Sequence, residues 1–153
     1  MRKDSVVLIA EDDEGHFLLF ERNLRRAGID NEIIRFIDGA QLLDFLFKRS
    51  ENQRQDGIAY LLILDIRMPK ADGIEVLTTI KADPELMKIP VIMLTTADNT
   101  KDVNICHDLG CSIYVVKPVE YEVFVKTARK IGAFLNIVEI PKIGRVEQEV
   151  MAT

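Results

Sequence analysis

Four aliphatic residues, Leu61-Leu62-Ile63-Leu64, run straight into Asp65, and a turn carrying Pro69 and Gly73 follows before a helical pattern begins. A short apolar run bounded in this way reads as a strand buried on both faces, as in a parallel sheet. Open α/β sheets place their ligand sites outside the carboxyl ends of such strands. Asp65 stands at one of those ends, so the rest of the chain is read for what accompanies it.

The same alternation of apolar run and helical period recurs along the chain. Ser5–Ala10 is a β-branched and aliphatic strand followed by Glu11-Asp12-Asp13. A helix begins at Glu14, with Phe17, Phe20, Leu24 and Ala27 on one face and Gly28 as its stop. Glu32–Phe36 is a shorter strand, and Asp38-Gly39 opens a helix with Leu42, Leu43, Leu46 and Phe47 inward. Ser50–Gly57 is polar without an apolar period and reads as an exposed loop. The strand Tyr60–Leu64 is followed by a helix over about Gly73–Ala82, which Asp83-Pro84 breaks. Ile89–Leu94 is a fourth strand and Thr100–Leu109 a more polar helix. Ser112–Val116 is a fifth strand, and a last helix over about Glu120–Asn136 has Phe124, Ala128, Ile131 and Leu135 at core spacing. Five strands alternating with five helices give an α/β doubly wound (βα)5 sandwich around a parallel sheet. The flavodoxin-like order 2-1-3-4-5 is the common solution for five such units.

The 153 residues suit one domain with a sizeable core. Residues 1–136 complete the pattern, and 137–153 form an extension that is apolar over Ile137–Ile140 and mostly polar from Lys142. The apolar segment either packs on the last helix or meets a second protomer. A net charge of −5 disfavours non-specific binding to DNA or to an anionic membrane surface, since both need a basic patch. No apolar run is long enough to span a bilayer. The N-terminus turns acidic too soon for a signal peptide, so a cytoplasmic location is the default. Cys106 and Cys111 do not make a Cys-x-x-Cys pair and read as buried thiols. His16 and His107 belong to no metal-ligand pattern and read as surface or partly buried residues.

The carboxyl ends of the strands share one edge of a parallel sheet. They present Glu11, Asp12 and Asp13 from the first strand, Asp65 from the third, Thr95 from the fourth and Lys117, before Pro118, from the fifth. Two carboxylates about 4 Å apart repel by roughly 4 kcal/mol at an effective dielectric near 20. Protonation, separation or a cation must relieve them. An all-oxygen cluster with few ligands suits Mg²⁺. Lys117 is a point-charge phosphate binder and Thr95 a hydroxyl donor. Together these are the parts that stabilise a phosphoryl group in transfer, and a carboxylate can itself be the nucleophile, giving an acyl phosphate. Each part alone is commonplace as a helix cap, a turn or a solvated charge. Their joint occurrence on consecutive strand ends is not.

These residues resemble the receiver domain of two-component response regulators. The resemblance rests on Ala10-Glu11-Asp12-Asp13, on Leu64 through Gly73, on Leu94-Thr95-Thr96-Ala97, on Leu109-Gly110 and on Tyr114-Val115-Val116-Lys117-Pro118, and covers about Ser5 to Asn136. It implies that Asp65 is the phosphoacceptor. It assigns Mg²⁺ to Glu11, Asp12, Asp65 and the backbone carbonyl of Arg67, with Asp13 one place beyond the acid pair. Thr95 would be the switch hydroxyl, Lys117 the phosphoryl-contacting lysine and Tyr114 the switch aromatic, with a cis Lys117–Pro118 bond. A sensor histidine kinase would donate the phosphoryl group, with slow self-dephosphorylation and no other enzyme activity. Output would be binding of a downstream protein, a dimer or onward transfer, because the chain ends soon after the receiver. The long loop Ser50–Ala59, the apolar tail, Lys81-Ala82-Asp83-Pro84 and Ile89-Pro90-Val91 are similar to stand-alone regulators that partner bacterial phytochrome kinases, which are homodimers.

Three other readings remain. A phosphohydrolase with an aspartyl nucleophile would want a second aspartate two places after Asp65, where Arg67 stands. An FMN binder would want a Gly/Ser/Thr-rich loop after the first strand, where acidic residues stand. A degenerate receiver used as a scaffold would not need the intact set of Glu11, Asp12, Asp65, Thr95 and Lys117.

Overall fold

The computed structural model describes residues 1–145. Its strands are β1 (Val6–Ala10), β2 (Ile33–Phe36), β3 (Ile58–Leu64), β4 (Val91–Thr95), β5 (Ile113–Val116) and β6 (Lys142–Ile143). Its helices are α1 (Glu14–Arg26), α2 (Gly39–Leu46), α3 (Gly73–Lys81), α4 (Thr100–Asp108) and α5 (Tyr121–Leu135), with a 3-10 turn at Leu86–Lys88. The five long strands are parallel in the order β2-β1-β3-β4-β5, as the alternation of elements implies. Among the described residues no helix is long and apolar enough to cross a membrane.

Side chains alternate across the sheet and divide the core in two. Leu8, Ala10, Leu62, Leu64, Val91 and Met93 face α2 and α3. Val7, Ile9, Leu61, Ile63, Ile92 and Leu94 face α1 and α5. On that second face α1 and α5 press together at Gly132, where an added Cβ would lie 2.5 Å from the Cβ of Ala27. Four helices start on a side-chain cap. Asp13, Asp38, Asp72 and Asn99 each accept a hydrogen bond from the backbone N–H three residues on, satisfying an otherwise orphaned donor. Asp13 thus serves as the α1 cap, with its carboxylate oxygen 2.9 Å from the amide of His16.

Three expectations need correction. In α2 the inward stripe also includes Phe45, buried with Leu42 and Leu46, while Leu43 and Phe47 pack on the same core half-buried. Phe45 occupies the i+3 position of the inward stripe and packs on Phe36 and Tyr60, with ring centroids 5.1 and 5.9 Å away. β4 begins at Val91 rather than Ile89, since Pro90 has no N–H for the ladder and offers only its carbonyl, to the amide of Leu62. No peptide bond among the described residues is cis, so Lys117–Pro118 is trans. Trans is the lower-energy form for X–Pro by about 0.5–1 kcal/mol, and from it Lys117 reaches both acids of the site.

The extension beyond Asn136 does not stand apart. Val138 and Ile140 pack on the α1–α5 core, while Ile137 is exposed. Ile143 is fully buried in the other core, where β6 pairs antiparallel with the start of β3. Its carbonyl accepts from the amide of Gly57, 2.8 Å away. The Ser50–Gly57 loop is polar but anchored: Arg54 Nε donates to the carbonyl of Leu46 at 2.8 Å, closing the end of α2.

Candidate functional site

The crevice lies at the carboxyl edge of the sheet. The β1 ladder delivers Glu11 into it buried and leaves Asp12 exposed. Arg35 on β2 fixes this acidic turn, its guanidinium donating to the carbonyls of Glu11 and Asp12 at 3.2 Å each while lying over the Phe17 ring. β3 delivers Asp65, only 6% exposed. One Asp65 oxygen, Oδ1, accepts from the backbone amide of Arg67 at 3.1 Å. The following loop doubles back under the aspartate: Gly73 N–H donates to the Ile66 carbonyl at 2.8 Å, and a Cβ on Gly73 would stand 2.2 Å from the Asp65 carbonyl oxygen. Lys70 and Ala71 in this loop have φ of 51° and 79°, a left-handed conformation that costs non-glycine residues energy.

Lys117 arrives from β5 with its ammonium buried. Nζ donates to Glu11 Oε1 and Oε2 at 3.1 and 3.0 Å and lies 3.4 Å from Asp65 Oδ2. One cation therefore faces two buried carboxylates. Burial, and then Asp65 beside it, push Glu11 up to about 7 against the pull of Lys117. Carboxylate oxygens of Glu11, Asp12 and Asp65 lie within 4.8 Å of one another. Oxygen ligands of a six-coordinate Mg²⁺ stand at about 2.0–2.1 Å from the ion, so small side-chain shifts bring this donor set to that geometry. The all-oxygen chemistry fits a hard cation.

Thr95 is fully buried at the end of β4, its hydroxyl oxygen accepting from the amide of Ala97 at 3.3 Å. The carbonyl of the same Ala97 accepts from the Tyr114 hydroxyl. Thr95 and Tyr114 are thus tied to one residue of the β4–α4 loop. Burial raises Tyr114 to about 12, so its hydroxyl remains a donor throughout the neutral range. The structure gathers Glu11, Asp12, Asp65 and Lys117 into one cluster and places the Thr95–Tyr114 pair at its β4–β5 side. Two residues at the site have no sequence signal of their own: Arg35, in a short strand, and His16, in the first turn of α1. His16 Nδ1 lies 3.3 Å from both Lys117 Nζ and Glu11 Oε1.

A doubly wound sheet with an acid cluster, a buried aspartate, a hydroxyl and a lysine along its carboxyl edge defines a signalling domain of the two-component class. The chain belongs to the response regulator receiver domain family, whose model matches residues 7–129. It is similar to the response regulator Rcp1 of Synechocystis, with 34% identity over 137 residues, 89% of this chain and 92% of that protein. The Mn²⁺-bound structure of Rcp1 superposes with a TM-score of 0.82, covering 90% of this chain and 99% of that one. A receiver domain from Rhodospirillum rubrum is 39% identical, with a TM-score of 0.86 over 92% of this chain and 99% of that one. The phosphorylated cyanobacterial phytochrome response regulator RcpA is 29% identical, with a TM-score of 0.81 over 90% of this chain and 98% of that one.

Proposed function

We propose that Asp65 accepts a phosphoryl group from the phosphohistidine of a sensor histidine kinase, and that the kinase is a phytochrome of the cytoplasm. The observation that carries this reading is the Asp65 carboxylate itself, buried, with one oxygen held by the Arg67 amide and the other facing Lys117. A carboxylate oxygen attacks phosphorus, the phosphorus–nitrogen bond to the donor histidine breaks, and the imidazole leaves with the electron pair. The Lys117 ammonium then takes a phosphoryl oxygen, and the Thr95 hydroxyl another. If Thr95 turns, the loop at Ala97 and the Tyr114 hydroxyl bonded to it must readjust, which would carry the state of Asp65 to a binding face. The exposed side chains of Val116, Val119 and Tyr121 stand on that side for a downstream protein. The family kinship to phytochrome-named regulators supports the choice of kinase. With Arg67 exposed where a hydrolase would hold its second acid, we assign no catalytic turnover beyond slow loss of the phosphoryl group. A phosphotransfer profile tests this: a phytochrome histidine kinase should label the protein faster than unrelated kinases, and equal rates would remove the phytochrome assignment.

Glu11, Asp12, Asp65 and the Arg67 carbonyl would hold Mg²⁺. When bound, the ion offsets the charge of the acid cluster and of the incoming phosphoryl oxygens. Glu11 must be ionised to serve, and its raised pKa of about 7 makes the proton a competitor. The expected half-saturating Mg²⁺ concentration therefore rises roughly tenfold between pH 8 and pH 6. Isothermal titration calorimetry reads this, and a pH-independent value would exclude Glu11 as a ligand. Labelling should cease in EDTA and return with added Mg²⁺.

We also propose a homodimer through the end of α5. Phe134 is 42% exposed and Ile137 79%, whereas Val138 and Ile140 are turned onto the protein's own core. Removing the whole extension would also take Ile143 out of the core, so a point substitution is the cleaner test. Ile137→Glu should shift the solution mass by light scattering from dimer to monomer with little change in melting temperature. An unchanged mass would move the interface elsewhere.

A further inference from the structure

His16 is the one histidine at the site, and neither the acid cluster nor the phosphoryl contacts account for it. Its backbone is fixed by the Asp13 cap. Its ring stacks on Phe124 of α5, with centroids 6.0 Å apart and planes 28° from parallel, and Phe124 is in turn held edge-on by Phe20. One face of the ring therefore rests on α5 while the side chain stays half-exposed, and Nδ1 lies 3.3 Å from Lys117 Nζ at the crevice. Nδ1, Lys117 Nζ and Glu11 Oε1 form a near-equilateral triangle, with sides of 3.1 to 3.3 Å. A lysine ammonium has three donors and no acceptor. An Nδ1–H would turn instead to Glu11 Oε1, 3.3 Å away, and leave that ammonium one acceptor short, whereas a bare Nδ1 accepts from it. The two acceptors, Nδ1 and Oε1, then lie side by side because the ammonium sits between them.

Resting on the phosphoacceptor reading of Asp65, we propose that His16 is a positioning residue: its unprotonated Nδ1 is the third acceptor of Lys117 and keeps the ammonium aimed at Asp65. The three ammonium protons are matched to Glu11, whose two oxygens share one, to Asp65 and to His16. Of these partners Glu11 and Asp65 are acids whose charges are drawn to other work when the site is loaded. His16 is anchored by ring stacking on Phe124 rather than by the cluster, and holds Lys117 whether or not Glu11 releases it. Without that anchor the long, flexible lysine side chain has to be ordered at the moment of transfer.

Two substitutions separate the contact from packing. His16→Phe keeps a ring against Phe124 and removes the acceptor. His16→Asn keeps an acceptor oxygen near the place of Nδ1 and removes the ring. With acetyl phosphate as donor and Mg²⁺ at saturation, His16→Phe should be labelled about tenfold more slowly, the scale of one hydrogen bond to a charged group. His16→Asn should recover most of the rate. The Mg²⁺ concentration for half-maximal rate should be the same in both, since His16 is no ligand. Imidazole ¹⁵N shifts at pH 8 should report the Nε2–H tautomer for His16 and should move in Lys117→Met. Equal slowing of both His16 variants, or a normal rate in His16→Phe, would overturn the proposal. An Nδ1–H tautomer indifferent to Lys117→Met would overturn the contact alone, while a wild-type protein that takes no label would bring down the Asp65 reading and the rate effect with it.

Discussion

Asp65→Asn should take no label from acetyl phosphate or from a phosphorylated histidine kinase, although the variant folds. The amide has no anionic oxygen to attack phosphorus, and among the described residues no other carboxylate faces Lys117 except Glu11, which the same ammonium already binds through both oxygens. A second effect distinguishes this from simple damage. Asp65 is one of the groups that raise Glu11, after burial itself. An acid whose folded pKa lies above its unfolded value of 4.5 loses stability for the fold as pH rises from about 4.5 to about 7, because the unfolded chain then gives up its proton first. Neutralising Asp65 lowers the folded pKa of Glu11 and leaves Lys117 a single acid to satisfy. In the absence of metal, Asp65→Asn should therefore be more stable than wild type at pH 8 by roughly 1 kcal/mol, and the gain should shrink towards pH 5. Chemical denaturation at the two pH values measures it. Residual label on Asp65→Asn would place the acceptor on another residue, and a loss of stability at pH 8 would mean that Asp65 and Glu11 do not oppose each other.

Periodicity made the sandwich legible because both of its faces are buried. Strands such as Val6–Ala10 and Leu61–Leu64 are apolar without interruption, and each ends where a charged or hydroxyl residue begins. The edge that collects those residues follows from parallel topology alone, so the sequence itself groups Glu11, Asp12, Asp65, Thr95 and Lys117. What periodicity does not carry is contact between segments distant in sequence. Arg35 looks like an ordinary strand charge until its guanidinium is found on the carbonyls of Glu11 and Asp12. His16 has no ligand spacing because its partner lies 101 residues away. Phe45 and Phe47 both fit a helical stripe, and it is Phe36 and Tyr60 across the core that bury Phe45 fully while Phe47 packs half-buried at its margin. The loop Ser50–Gly57 reads as an exposed loop and the tail as an extension beyond the sheet, and their relation appears only where Gly57 donates to the Ile143 carbonyl.

That meeting gives the second large effect. Ile143→Ala should lower the stability of the protein by about 2 kcal/mol, the lower end of the range for emptying a buried isoleucine site. Ile143 is fully buried among residues of the α2–α3 core and pairs with Ile58 at the head of β3. Shrinking it opens a cavity that a two-residue strand cannot close by shifting, because Gly57 and Ala59 hold its backbone in register. The loss is limited by another route: β6 is only two residues long, so the segment can detach locally at less than the cost of global unfolding. Amide exchange tells the two apart. Detachment exposes the Gly57 N–H, which donates to the Ile143 carbonyl, and the adjacent start of β3, while the amides of Leu62 to Leu64 remain protected by their pairing with β1 and β4. Phosphorylation of Asp65 should be little changed, since β6 meets β3 at the end opposite the crevice. A substitution without cost, and with Gly57 still protected, would mean that the domain closes at Asn136 and that Ile143 merely rests on it.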